Sequence, residues 1–244
     1  MKLSTVIADR RSFVSLATAI LCGVSLSLAW SGPTRAGTVQ FQPPQGGAPE
    51  GTRGGASRGD GLCIQSYPEK NQGLQALTPK DSNYGLTLAE HPQFFAYIPL
   101  TTAQKALFVL KDDRGHTLYQ QVIPITGNSR VMSINVAERL PALELGKTYE
   151  WGIAILCTGT LQVDSPFTSA WVERVSPPTD VLPYVGQSPS LQKVIALGSH
   201  GIWYDMVSTL AQLQHQRQDT TIASTWSQLL QSVGLEKISE APVN

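Results

Sequence analysis

The sequence predicts a mainly β protein: an antiparallel β-sandwich with a small C-terminal α-helical appendage. Three observations predict it. Six short runs alternate apolar and polar residues between positions 93 and 175, with turn signals between them. The run YEWGIAILC is the strongest strand signal in the chain. Beyond Val175 the apolar period changes from two residues to between three and four.

The strands follow in order. Residues 93–99, QFFAYIP, place Phe94, Ala96 and Ile98 on one face. Residues 106–111, ALFVLK, lead into Asp112-Asp113-Arg114-Gly115, a turn signal. Residues 116–124, HTLYQQVIP, then return as the second arm of a β-hairpin. Residues 131–136, VMSINV, put Met132, Ile134 and Val136 together. Residues 149–157 place Tyr149, Trp151, Ile153, Ile155 and Cys157 on a single face. Residues 170–175, AWVERV, close the series with Trp171 pointing inward. The stretch LELGKTYEW sets Tyr149 just before the strongest strand and resembles the tyrosine corner of immunoglobulin-like and fibronectin-like sandwiches. An ordinary strand tyrosine is the plainer alternative.

The helical part follows SPPTDVLPYVGQSP, a Pro-rich linker. A short helix is expected over 191–197, a second over 202–216 and a third over 221–233, with Gly234 as its C-terminal cap. Trp203, Tyr204, Met206 and Trp226 cluster near the helix starts. Aromatic and Met side chains are enriched at interfaces, so these four mark a possible partner surface. The alternative is that they pack on each other and on the sandwich.

The N-terminus adds an address. Lys2, Arg10 and Arg11 precede an apolar run from Phe13 to Trp30, and Thr34-x-Ala36 offers small residues for cleavage. This pattern predicts a cleaved export signal. Arg10-Arg11-Ser12-Phe13-Val14 also fits a twin-arginine signal, alongside the general secretory route. The apolar run is diluted by Ser, Thr and Gly, which argues against a spanning anchor and against stable membrane insertion after cleavage. Leu21 stands before Cys22 where a lipoprotein would carry a small residue. The expected division is signal 1–36, Gly/Pro/Arg-rich tether 37–61, sandwich 62–176, linker 177–188 and helical appendage 189–238.

Charge narrows the partners. The chain has 18 basic and 18 acidic residues; losing four basic and one acidic with the signal leaves 14 and 17, net −3. No block of like charge provides a footprint for nucleic acid. The stretch GTRGGASRG, residues 51–59, lacks the Gly-Lys-Ser/Thr of a phosphate loop and is too short for an Arg-Gly binding repeat. With Pro43, Pro44 and Pro49 before it, it reads as tether. Two cysteines, Cys63 and Cys157, remain after cleavage. In an oxidising compartment they are expected to pair as a disulfide. Neither has His or Asp at ligand spacing, so no metal site is expected.

No nucleophile elbow, His-Glu-x-x-His or Ser-x-x-Lys occurs, and His91, His116, His200 and His215 form no ligand pair. Asp112-Asp113 supplies too few oxygens for calcium and reads as a solvated turn. No catalytic residue and no cofactor are expected.

The ordered set GTRGGASRGDGLC, LTPKDSNYGLTLAEHPQFFAYIP, FVLKDDRGHTLY, LELGKTYEWGIAILC, AWVERV and GIWYDMVSTLAQL…WSQLLQSVGL resembles the domain of unknown function 928 family. The resemblance spans residues 49–238. That family consists of exported, largely cyanobacterial proteins, so the resemblance implies a periplasmic or extracellular location; it brings no activity. The expected function is a non-catalytic binding or scaffold role in the cell envelope, with another envelope or membrane protein as partner. Two alternatives stand: a ligand-sensing partner of a membrane signalling protein, and an envelope hydrolase with an active site outside known motifs.

Overall fold

The structure is a computed structural model that describes residues 39–44, 63–65, 73–134, 136, 139–216 and 219–243. These fall in one compact unit, Gly37–Asn244. The signal at 1–36 with Cys22, and the GTRGGASRG stretch with Arg53 and Arg58, lie outside the described residues.

Among the described residues, eight strands form two sheets. They are β1 Gln75–Ala76, β2 Tyr84–Thr87, β3 Phe94–Ile98, β4 Lys105–Asp112, β5 Thr117–Pro124, β6 Arg130–Ile134, β7 Thr148–Ile155 and β8 Phe167–Arg174. One sheet has the order β1-β3-β6 and the other β2-β8-β7-β4-β5. Residues alternate between core and solvent along β4, where Ala106, Phe108 and Leu110 are wholly buried. On β7 the expected face is inward: Tyr149, Trp151, Ile153 and Ile155 are all buried. Cys157 lies past the end of that strand.

The tyrosine corner is present. Glu144 N donates to Tyr149 Oη at 3.0 Å, and the bond spans the turn before β7. It ties the connection to the strand that it feeds.

Several details differ from expectation. The sandwich is antiparallel except for β2, which runs parallel to β8 from Tyr84↔Trp171 to Thr87↔Arg174. Strands β1 and β2 carry only two and four residues, too few to show a period. Trp171 points away from the core, because its neighbours Ala170 and Val172 take the inward positions. On β6 it is Val131, at 0% exposure, that is deeply buried with Ile134, while Met132 is half-buried. Strand β3 is buried at all five positions, on both faces.

Three α-helices follow among the described residues: α1 Leu191–Gly198, α2 Trp203–Gln216 and α3 Thr220–Ser232. Ser190 caps α1 by accepting from Lys193 N, and Asp219 caps α3 by accepting from Thr221 N. Gly234 follows α3 with φ +79°, the left-handed conformation expected of its cap. Within the linker, residues 182–184 form a 3-10 turn and Val181 is buried. Among the described residues no helix is long and apolar enough to cross a membrane.

The helices are not a separate appendage. Their apolar residues join those of both sheets in one continuous core. Nor is the whole of 37–61 a free tether: Gln42 N donates to Gly198 O at 2.9 Å, and the Phe41 ring meets Trp203 edge-on, 4.9 Å between centroids. Residues 39–44 are thus packed on the turn between α1 and α2.

Candidate interaction face

The residues expected to meet a partner are core. Trp203, Tyr204, Met206 and Trp226 are 0%, 2%, 0% and 1% exposed. The partner-surface expectation for these four is therefore corrected. Their apolar area is used inside the molecule, closing the open side of the sandwich beside β2.

The closure is specific. Trp203 Nε1 donates to Leu77 O at 2.7 Å. Gly85 on β2 makes room for the same indole: a Cβ there would stand 2.5 Å from Trp203 Cβ. Trp151 Nε1 donates to Tyr204 Oη at 2.7 Å, and Tyr204 Oη donates to Trp171 O at 2.9 Å. The Trp151 ring also packs at 5.0 Å from Phe94. Burial pushes the Tyr204 hydroxyl well above its ordinary value, so it stays a neutral bridge between α2 and β8.

The free amides of β2 and of the residue that follows it are also taken. Leu86 N donates to Gly201 O at 3.1 Å, and Leu88 N to Asp205 Oδ2 at 3.0 Å. Thr87 Oγ1 donates to the same carboxylate oxygen at 2.7 Å. Burial raises the Asp205 carboxyl above the usual range, against the lowering effect of those two bonds. Asp205 sits in a cleft of about 430 Å³ with His91, Gln93, Lys193 and Gln212 on its walls. The cleft's buried carboxylate is thus already committed to joining helix and strand.

The other polar candidates are surface pairs. His116 Nδ1 lies 2.9 Å from Asp112 Oδ2, and Asp112 Oδ1 accepts from Arg114 N and His116 N. Desolvation works against ionisation of Asp112, but the bonds from His116 and Arg114 outweigh it and hold the carboxyl below its ordinary value. His200 Nε2 lies 2.7 Å from Asp180 Oδ2. Among the described residues no three His, Cys, Asp or Glu side chains gather as a metal site would need. Cys63 and Cys157 are joined as a disulfide across 94 residues. Thr101 Oγ1 donates to Cys63 O at 2.8 Å, so the bridge fixes residues 63–65 to the end of β3 as well.

Among the described residues, the exposed apolar side chains of the large sheet lie toward its opposite edge. The outward positions of four strands line up by register. One row reads Val122, Leu107, Ala154, Phe167 across β5, β4, β7 and β8. The next reads Gln120, Val109, Gly152, Ser169. The Phe167 ring lies against Gly152. Val122 is 50% exposed and Leu118 44%, while Leu107, Val109 and Phe167 are half-buried and Ala154, Gly152 and Ser169 are buried, so the solvent-facing part lies on the β4–β5 side. Exposed Leu161 and Val163 lie on the β7–β8 connection beside the first row. A third row turns polar, with Lys111 Nζ 3.7 Å from Glu150 Oε2. Contiguous apolar surface of this kind marks interaction sites more often than scattered residues do.

The strand order itself defines an immunoglobulin-like sandwich with three C-terminal helices. The solution structure of the fn3 domain of human collagen alpha-1(XX) chain is similar at 12% identity and a TM-score of 0.26, over 49% of this chain and 90% of that one. No curated protein matches. The family model described as Domain of Unknown Function (DUF928) matches residues 53–243, sandwich and helices together. The chain belongs to the DUF928 family.

Proposed function

We propose that the chain is an exported, non-catalytic binding or scaffold module of the cell envelope. Its working surface is the outer face of the large sheet, and its partner is another envelope or membrane protein. The observation that carries this reading is the row Val122, Leu107, Ala154, Phe167, an apolar strip across four strands that is exposed at Val122, half-buried at Leu107 and Phe167 and buried at Ala154. The basic, apolar and small-residue pattern of residues 1–36 supports export, by either route.

A photo-crosslinking residue at Val109, in cells that produce the protein, tests the surface. The expected result is an adduct with one defined envelope protein, lost when Leu107→Glu is added. Labels at Leu107, Val109 and Phe167 that yield no adduct would remove the reading. Mass spectrometry of the released protein tests the address: the expected N-terminus is Gly37. Retention of Met1 would overturn export with cleavage.

A further inference from the structure

We infer that strand β5 is the seam of a two-fold dimer, pairing antiparallel with β5 of a second copy of this chain. The inference rests on the module reading only in taking the β5 side of the sheet as free surface.

Strand edges carry rows of main-chain donors and acceptors that seek partners. Three of the four edges are occupied within the chain. On β2, Leu86 N and Leu88 N go to Gly201 O and Asp205. On β6, Val131 N goes to Pro242 O, with Val243 bridging beside it. On the two-residue β1, Ala76 N goes to Thr168 Oγ1. The eight-residue β5 has β4 on one side and, among the described residues, no main-chain bond on the other. A second copy therefore offers a single matching edge, its own β5. Pairing of like with like closes on itself as a dimer and does not propagate.

The register follows from the geometry. Ile125 N donates to Gln104 O, so Ile125 directs its main-chain groups toward the β4 side. Antiparallel alternation then aims those of Ile123, Gln121 and Tyr119 at β4. Those of Pro124, Val122 and Gln120 face outward. Pro124 has no N–H to offer, which is tolerated at an outward edge position. At the other end the β4 register shifts between Leu110 and Lys111, leaving Leu118 as the extra residue of a bulge. The regular open stretch is thus Tyr119–Ile123, and its centre is Gln121.

A two-fold axis perpendicular to the sheet keeps outward side chains outward, so the residues it pairs must have the same parity. Centred on Gln121, it sets Gln121 against Gln121, Gln120 against Val122, and Tyr119 against Ile123. The outward amides and carbonyls of Gln120 and Val122 then meet each other reciprocally. Leu118 faces Pro124 at both ends, so the bulge and the proline bracket one register. Strand β5, TLYQQVIP, holds no charged residue, so no like charges oppose one another across the seam. Joined this way, the two sheets present one continuous outer face.

The test uses the full chain as the cell releases it. Sedimentation equilibrium of the wild type is expected to show a monomer–dimer equilibrium. Gln121→Lys, which opposes two ammonium groups, is expected to weaken it at least about tenfold. Gln121→Cys is expected to oxidise to a covalent dimer, because directly opposed non-bonded pairs lie about 4.5 Å apart at Cα. Gln120→Cys, displaced by two residues from its own copy, is expected to cross-link more slowly. A wild type that stays monomeric to about 100 μM, far above affinities of specific association, overturns the proposal. So does a dimer indifferent to Gln121→Lys at an unchanged melting point, or faster cross-linking at Gln120→Cys. If the wild type is monomeric while the Val109 label still captures its envelope protein, the dimer fails and the module reading stands.

Discussion

The large sheet has two edges, and the chain treats them oppositely. At β2 a helix, a turn carbonyl and a buried carboxylate take the free amides, and Trp203 fills the gap over Gly85. At β5 the strand is twice as long, and among the described residues its far side has no main-chain partner. One edge spends the largest side chains of the C-terminal helices on stability. The other leaves modest ones, Leu118 and Val122, in contact with water. The difference shows which edge is bound into the core and which is left to solvent. Changes at the first edge should unfold the protein, and changes at the second should leave it folded.

The largest effect is expected at Trp203. Trp203→Ala removes a wholly buried indole and leaves Leu77 O without its donor, for a loss of about 3–5 kcal/mol in a denaturant titration. A change below about 1 kcal/mol would mean that the helices add little to the sandwich. Asp205→Ala comes next. It strips Leu88 N and Thr87 Oγ1 of their acceptor and is expected to cost about 1–3 kcal/mol.

Asp205→Asn sharpens the same edge through pH. The folded carboxyl is raised by burial, so the folded state holds a proton that the unfolded chain has already released. That contribution is fully present below the ordinary carboxylate value and is lost as pH rises through the folded one. Asn keeps an acceptor and carries no charge. The stability of wild type relative to Asp205→Asn should therefore rise as pH falls from neutral toward 4. A gap that is constant with pH would show that the Asp205 carboxyl is not raised in the folded state. The smallest effect is expected at the open edge: Val122→Ser should change stability by no more than about 0.5 kcal/mol.

The regular elements were legible because their periods are local. Strand β7 alternates over eight residues and α2 carries an apolar stripe, so each shows its buried face without help from elsewhere. Strand β2 was not legible: YGLT is too short for a period, and its partner β8 lies far along the chain. The fate of Trp203 and Tyr204 was undecided for a related reason. An apolar helix start looks the same whether it meets its own sheet or a partner's. The signal that could have decided it is Gly85, a residue poor in strand preference standing where a strand must admit an indole. The open face had a signal too: TLYQQVIP lacks the Lys and Glu that commonly guard an edge. The cysteine pairing was legible from count and compartment alone, whereas its anchorage on Thr101 needed the folded chain.

The Cys63–Cys157 link also decides how the protein would carry a mechanical load. A pull on the segment before Cys63 enters the covalent bridge and leaves at the end of β7, so the 93 residues between the two cysteines stay slack. Strands β1 to β7 all lie in that shielded loop. The load runs instead through β8 and the helices, and their rupture sets the first resistance. Reduction would release the hidden length, adding about 300 Å of extended chain. A protein stretched between its two ends in oxidising and in reducing buffer should differ by that contour length. Equal lengths would show that the load bypasses the bridge.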